Sequence, residues 1–425
     1  MNLLNSLLSV NLFSRTLLVF FLCTSAAWAG NSVSGSYALS PWVYKKLEGA
    51  RVSIDEEDYL IAETQLRSLV ENNKLSSYEK AQSWNLLAYN YYLSKQPLAS
   101  IKAYQRVLQE PQLSPGLQQS TLKTLAQLQY GEEQYRQALN NLSLLEQRTS
   151  LDNNLNLLKA YCLYQLDSYR AAAQVLDELI ANSQLPQENW LTLLQASYHQ
   201  LGDFKRMTDT LELLVRYYPT IDHLLTLASI YGEINRADKQ LATLESLWES
   251  QQLKTEADIL NLVALQLQLG APFKAAKILQ QSITKGFVVA NEQHRLQLAQ
   301  AWMVAKEEHN AIVALEDIFK KTEGIPSGRA ISGSLSTACL LLGQLYFTQA
   351  DWQKAIDRLK VCKSNDSDKL NQGRMLLAIA FVNSGQLLHA QRILVDLQTL
   401  VQYEQQAGRW LQYIRNEKRR LAEAL

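Results

Sequence analysis

Histidine, cysteine and acidic side chains are where catalysis or metal binding would be expected, and their spacing argues against both. The five histidines form no HExxH motif, no pair at i and i+4, and no cluster with cysteine. No GxSxG nucleophile motif occurs, and the acidic run at residues 55–57 lies at a predicted helix start, where carboxylates complement the helix dipole. We therefore expect neither enzymatic activity nor a cofactor or metal. The histidines are His199, His223, His294, His309 and His389.

The cysteines suggest a structural role. Three of the four, Cys162, Cys339 and Cys362, lie beyond the amino-terminal apolar segment, and they form no CxxC pair and no zinc-ligand spacing. Cys339 and Cys362 fall on two consecutive predicted helices at positions that face each other. Two interpretations stay open: a disulfide that joins these helices, or two buried cysteines that pack as small hydrophobic side chains.

Tyrosine recurs at helical spacing in the first half of the chain. Tyr89 and Tyr92 follow Asn85 at i+4 and i+7, which places the three along one helix face. Tyrosine offers a large apolar contact with a polar tip at low entropy cost, so it suits the recognition of a peptide. The full set of candidate partner-binding residues is Asn85, Tyr89, Tyr92, Lys123, Gln127, Tyr130, Tyr161, Tyr164 and His199.

A repeated pattern of small residues predicts the elements that position these side chains. One series recurs at a nearly constant interval, with a single longer step from Ala311 to Ala355. Each residue of a second series precedes a residue of the first by the same number of positions, as Ala50 precedes Ala62. Two small positions per unit let two antiparallel helices approach closely, and a period of roughly 34 residues is typical of tetratricopeptide repeats. The first series is Ala62, Ser100, Ala138, Ala172, Met207, Gln240, Ala275, Ala311, Ala355 and Ala390, and the second is Ala50, Ala88, Ala126, Ala160, Gln195, Ala228, Val263, Ala299, Gly343 and Ala378.

The repeat frame predicts an all-α, right-handed tetratricopeptide superhelix of about ten helix-turn-helix units. We expect helical pairs over 41–71, 78–110, 116–148, 152–183, 187–219, 220–251, 256–287, 292–323, 334–364 and 370–401. Repeats one to eight would occupy 40–323, repeats nine and ten 335–401, and a polar capping helix 402–425. The glycines and proline of 324–334 predict a linker loop. A phosphate-binding loop is not expected, because the segment lacks the Gly-Lys-Ser/Thr motif.

The candidate residues lie on first helices, which line the concave face in arrays of this kind. We therefore expect them to face a groove that binds a protein or peptide, although packing against the next repeat is an equally consistent interpretation. Use of the convex face also stays open. Only Lys123 matches the Lys/Asn set with which chaperone-binding repeats clamp a peptide carboxylate, so a C-terminal-peptide clamp is not expected. Later repeats carry apolar residues at these positions: Leu260, Leu267, Leu296, Met303, Phe347 and Met375.

The amino terminus predicts export. Arg15 precedes the apolar run 17–23, and Ala27 and Ala29 supply the small residues that signal peptidase reads, so we expect cleavage after Ala29. Residues 30–39 would form a flexible mature start. The run is shorter than a membrane span, and a periplasmic protein with no span after cleavage is expected. Lysine plus arginine equals aspartate plus glutamate, 41 each, so no global field attracts nucleic acid.

The connecting segments resemble those of exported tetratricopeptide proteins regarded as accessory components of TonB systems in Gram-negative bacteria. This resemblance implies a role beside TonB, ExbB and ExbD in the uptake of iron complexes, and it transfers no binding residues. An alternative is an envelope-assembly or chaperone-like factor that holds extended outer-membrane or secreted polypeptides. The matching stretches are 39–47 (LSPWVYKKL), 75–82 (LSSYEKAQ), 116–122 (GLQQSTL), 231–233 (YGE), 274–279 (KAAKIL) and 408–411 (GRWL).

Overall fold

The computed structural model describes residues 37–320, 333–362, 364 and 366–423, and within them every regular element is a helix. The predicted signal peptide 1–29 and most of the predicted linker lie outside these residues. The helices are α1 (Pro41–Asp55), α2 (Tyr59–Val70), α3 (Ser77–Leu93), α4 (Pro97–Gln109), α5 (Pro115–Gly131), α6 (Tyr135–Glu146), α7 (Asn153–Gln165), α8 (Tyr169–Ala181), α9 (Glu188–Leu201), α10 (Phe204–Tyr217), α11 (Ile221–Glu233), α12 (Ala237–Glu249), α13 (Glu256–Gln268), α14 (Pro272–Thr284), α15 (Glu292–Val304), α16 (Glu308–Lys320), α17 (Gly333–Thr348), α18 (Trp352–Val361), α19 (Ser367–Asn383), α20 (Leu387–Gln398) and α21 (Glu404–Glu423).

These helices confirm the predicted all-α fold of the tetratricopeptide type. Each predicted pair is present, and a last helix follows the tenth pair. One boundary differs: Gly333 and Ser334, which we assigned to the linker, form the start of α17. The chain divides between Leu166 and Asp167 into two compact units. The largest core of the first unit runs from Ala50 to Leu128, and a continuous core of the second runs from Ala228 to Ile414.

The small residues of the repeat pattern lie where helices touch. Ala50, Ala62 and Ala275, for example, have no exposed surface. Gly343 shows why size matters, because a Cβ atom built there would lie 2.4 Å from Leu359 Cδ2 on the paired helix. A larger residue would force the two helices apart or displace the leucine.

The turn inside each pair has the same backbone conformation in all ten repeats. The residue seven positions after the first small residue has a positive φ in every case, from 56° at Ala350 to 79° at Gly270. Glycine adopts this conformation without a Cβ penalty. Only three of the ten turns have a glycine at this position, namely Gly202, Gly270 and Gly385. The other seven repeats tolerate the cost because the paired helices on both sides hold the turn.

Hydrogen bonds fix where the first repeats begin. The Ser76 hydroxyl accepts from the Glu79 amide, and the Glu79 carboxylate accepts from the Ser76 amide, which is a capping box at the start of α3. The same carboxylate accepts from the Ser40 amide at 2.9 Å and so ties α1 to α3. Tyr37, within the start predicted to be flexible, packs edge-on against Tyr78 with ring centroids 5.5 Å apart.

Candidate functional site

The first part of the candidate site is a tyrosine cluster on repeat two. Asn85 and Tyr92 are half-buried on α3, and Tyr89 on the same helix is 43 % exposed. Tyr104 of α4 is buried near Tyr89 and Tyr92, and burial, followed by these two neighbours, raises the pKa of its phenol to about 12. Burial and the nearby Tyr89 also raise the pKa of Tyr92. The cluster therefore combines aromatic rings that can stack with hydroxyl groups that can donate hydrogen bonds.

A second cluster joins repeats three and four. Tyr130 of α5 packs against Tyr161 of α7, with ring centroids 6.1 Å apart, and against Tyr135 of α6 at 5.7 Å. Burial, followed by the neighbouring Tyr161 and Tyr135, raises the pKa of Tyr130 well above its usual range. Separations of this size are those of favourable tilted aromatic pairs. The cluster is a half-buried patch of three aromatic rings that carry hydroxyl groups.

The remaining predicted residues do not join either cluster as free binding groups. Lys123 forms an ion pair with Asp152, Nζ to Oδ2 3.2 Å, and Gln127 is half-buried. Tyr164 is half-buried on α7. His199 lies in the second unit, in the last turn of α9, where its carbonyl accepts a hydrogen bond from the Gly202 amide. The predicted set thus spans two units, and its tyrosine clusters lie in the first.

The structure brings Cys339 and Cys362 together. Cys339 is buried on α17, Cys362 follows α18, and their sulfur atoms lie within bonding distance as a disulfide with Cα atoms 5.8 Å apart. Cys162, in contrast, is a buried free thiol, and burial raises its pKa to about 12, so it is unreactive as a nucleophile.

Sequence reasoning missed a second use of tyrosine, at the junctions between repeats. In a junction network, a carboxylate on the second helix of one repeat accepts from a tyrosine on the first helix of the next, and a cation on the following helix lies beside both. Tyr231 Oη donates to Glu212 Oε1 at 2.7 Å, and Lys239 Nζ donates to the same oxygen at 2.7 Å. The repeat frame contains the signal, because the three residues always occupy the same repeat positions.

Three further junctions of the second unit follow this arrangement. Tyr198 Oη donates to Asp177 Oδ2 at 2.6 Å, with Arg206 over its ring. Tyr346 donates to Glu316, with Lys354 over its ring at 5.5 Å. Gln266 replaces the tyrosine at one junction and donates to Glu245 Oε1 at 2.8 Å, beside Lys274.

The junction networks shift the pKa values of their members in opposite directions. Burial, followed by the hydrogen bond to Asp177, raises the pKa of Tyr198 to about 12. Hydrogen bonds from Lys239 and Tyr231 outweigh burial and lower the pKa of Glu212. Both shifts hold the phenol neutral and the acid ionised, which is the pairing that the hydrogen bond needs. These tyrosines therefore serve packing.

The second unit carries an apolar recess on its late first helices. Met303 of α15, Phe347 of α17 and Leu376 of α19 line a recess of about 390 Å³, with Lys306 and Glu308 at its edge. Two other apolar residues expected on this face, Leu296 and Met375, are buried. Among the residues that the structure describes, no group of three or more His, Cys, Asp or Glu side chains could hold a metal ion. In the same residues, no helix is long and apolar enough to span a bilayer.

No family model matches the chain, and no curated protein matches it. It is similar in structure to a chain of Naa15/Naa10 bound to HypK-THB, at 14 % identity over 90 % of this chain and 67 % of that one, with a TM-score of 0.43. A tetratricopeptide repeat protein from Parabacteroides merdae matches at 11 % identity over 63 % and 98 %, TM-score 0.35. YrrB, described as a tetratricopeptide protein with an unusual peptide-binding site, matches at 13 % over 42 % and 89 %, TM-score 0.34. These values are too low to support a functional argument.

Proposed function

We propose that this chain is a non-catalytic adaptor whose first unit binds an extended segment of a partner protein. The observation that carries the proposal is the pair of tyrosine clusters on α3 to α7, because they bring several aromatic rings together in one unit and leave Tyr89 exposed. Tyr89 is the centre of the proposed surface, since it is 43 % exposed and has Tyr92 and Tyr104 as neighbours. Rigid aromatic anchors of this kind dominate the energetics of many protein interfaces.

We further propose that the adaptor works in the periplasm as an accessory component of a TonB–ExbB–ExbD system that drives the uptake of iron complexes. The predicted signal peptide and the resemblance of the connecting segments to TonB-associated tetratricopeptide proteins support this role. The periplasmic domains of TonB and ExbD are the partners to test first.

The experiment compares binding of the purified periplasmic domains of TonB and ExbD to the mature chain and to three variants. Tyr89→Ala and Tyr130→Ala each remove one cluster's ring, and Tyr413→Ala is the matched control, because Tyr413 on α21 is 49 % exposed and belongs to neither cluster. We expect the wild-type chain and the control to bind one of the domains. Loss of a hot-spot aromatic should weaken binding by about tenfold or more.

Three results would change the proposal. If neither domain binds, the TonB role is wrong. If the chain instead holds many unfolded outer-membrane polypeptides, the chaperone-like alternative replaces it. If a partner binds but all three variants bind it as the wild type does, the tyrosine clusters are not the binding surface.

A further inference from the structure

One face of α1 is exposed at the positions that later repeats bury. Each first helix from α3 onward packs against the second helix of a neighbouring repeat, as where Asn90 Nδ2 donates to the Tyr59 carbonyl oxygen of α2 at 3.0 Å. The residues that fill this contact on α3 are buried, namely Ser83, Leu87 and Asn90. The same repeat positions of α1 are exposed, and they are held by Lys45, Gly49 and Val52.

Gly49 lies in the middle of this face and is not required by the fold of a single chain. A Cβ atom built there would meet no described atom within 4 Å, whereas Gly343, Gly373 and Gly408, which also lie within helices, each have a side chain within that distance. Glycine inside a helix is destabilising relative to alanine. Its presence at an open position is explained if another backbone approaches α1 closely at this point.

Apolar side chains lie on both sides of Gly49. Trp42, two turns before it, is 52 % exposed, and Val52 is 47 % exposed. Trp42 and Gly49 also line a recess of about 260 Å³ between α1 and α2, and Ile61, one turn before the lining residue Gln65, is exposed too. Exposed apolar side chains that cluster on one face mark a contact with another molecule, whereas single ones need no explanation.

The charges of α1 are divided along its length in a way that suits a second copy of the chain. Lys45 and Lys46 lie in the first half of the helix, and the acidic residues 55–58 lie at its C-terminal end and in the turn that follows; all are exposed. In an antiparallel pair of α1 helices centred on Gly49, Lys45 lies opposite Ser53 of the other copy. Lysine side chains in a helix lean towards its N-terminus, so the basic half of each helix reaches the acidic end of the other.

From these features we propose that α1 is a dimerisation helix. Two copies of the chain pair through α1 in antiparallel orientation, with the two Gly49 residues at the point of closest approach. The same face is used by both copies, so that each covers the Trp42 and Val52 side chains of the other. One helix per copy buries less surface than an obligate dimer, and we expect a dissociation constant on the order of micromolar.

The pairing uses no residue of the tyrosine clusters, so it stands or falls separately from the proposed function. Analytical ultracentrifugation of residues 30–425 over about 1 to 100 μM measures it, and we expect a reversible monomer–dimer equilibrium. Gly49→Gln places a bulky side chain at the closest approach and should weaken dimerisation by about tenfold or more. Gly131→Gln is the matched control, because a Cβ atom built there also meets no described atom within 4 Å.

Two charge-reversal variants test the orientation. Lys45→Glu/Lys46→Glu makes both ends of α1 acidic, and Glu56→Lys/Glu57→Lys makes both ends basic. Lysine fits at position 57, because Lys95 has the same positive φ at the equivalent turn position. Each variant alone should dimerise about tenfold more weakly than the wild type, whereas an equimolar mixture should form a heterodimer with an affinity close to that of the wild type.

Three results would each overturn the proposal. The first is a monomer at every concentration of the wild-type chain. The second is equal dimerisation of Gly49→Gln and the wild type, because the closest approach would then lie elsewhere. The third is a mixture of the two charge-reversal variants that associates no better than either variant alone. Circular dichroism of each variant reports that it is folded.

Discussion

The junction networks of the second unit and the tyrosine clusters of the first use the same side chain in opposite ways. The Tyr231 hydroxyl group donates a hydrogen bond to Glu212, and Tyr231 is only 6 % exposed, whereas Tyr89 is 43 % exposed. The two uses even meet on one helix: Tyr91 donates to Glu63 at 2.9 Å, and the next residue, Tyr92, belongs to the cluster. A shift of one position along the helix therefore separates a packing role from a surface role.

The largest expected effect concerns a covalent difference between the units. Cys339 and Cys362 lie 23 residues apart in sequence and can be joined, while the first unit has only the free Cys162 within the described residues. A crosslink that closes a loop of this size stabilises by about 3 kcal/mol, chiefly by restricting the unfolded chain. We expect reduction to destabilise the second unit by that amount and to leave the first unchanged, as measured by hydrogen exchange on the two units.

Cys339→Ser/Cys362→Ser is the control for reductant effects, and dithiothreitol should not destabilise it further. Alkylation detected by mass before and after reduction reports the bond directly. Complete alkylation of both cysteines without reductant, in protein purified from an oxidising compartment, would show that they are not bonded. The two cysteines would then pack only as small hydrophobic side chains.

The next effect lies in the first unit and depends on pH. Burial raises the pKa of Glu79, but hydrogen bonds from Ser40 and Ser76 outweigh it and lower the pKa from 4.5 to about 2. A lowered pKa means that this stabilisation is complete above about pH 4.5 and is lost as the pH falls towards 2. We expect Glu79→Gln to cost about 2 kcal/mol at pH 7 in urea unfolding.

The pH series distinguishes this carboxylate from general acid denaturation. The difference between Glu79→Gln and the wild type should shrink steadily below pH 4.5, because protonation removes the same charge from the wild type. A difference that stays constant from pH 7 to pH 3 would show that the substitution acts by some other route than the loss of the ionised acceptor.

A smaller effect separates the two uses of tyrosine directly. Tyr231→Phe removes the hydroxyl group that donates to Glu212, and we expect a loss of about 1 kcal/mol, since Lys239 still pairs with the acid. Tyr92→Phe removes a hydroxyl group from the cluster, where the change should stay below about 0.5 kcal/mol. Urea unfolding of both variants measures the contrast, and equal losses would contradict the division into packing and surface tyrosines.

The sequence predicted the helices well because close approach of two helices requires small residues, and that requirement leaves a visible mark. It could not predict which side chains meet across repeats. Tyr104 and Tyr135, which complete the two clusters, lie on second helices, whereas the groove residues were sought on first helices. His199 shares a repeat position with Tyr130, yet the chain divides at Leu166 and places the two in different units. Gly333 was assigned to the predicted loop because that segment is rich in glycine, whereas in the structure it begins α17.

The smallest expected effect concerns the cations of the junction networks. Lys239 is 41 % exposed, so its attraction to Glu212 acts largely through water and is screened by salt. Lys239→Met keeps an unbranched apolar side chain and removes the charge, together with the contact of Nζ with the Tyr231 ring at 5.0 Å, and we expect a loss of about 0.5 kcal/mol or less at low salt. In 1 M sodium chloride the difference from the wild type should vanish, while that of Tyr231→Phe should persist, because a hydrogen bond is screened less than an exposed ion pair. Unfolding curves of both variants at two salt concentrations make the comparison. If Lys239→Met cost as much as Tyr231→Phe at both, the cation rather than the tyrosine hydroxyl would hold the junction together.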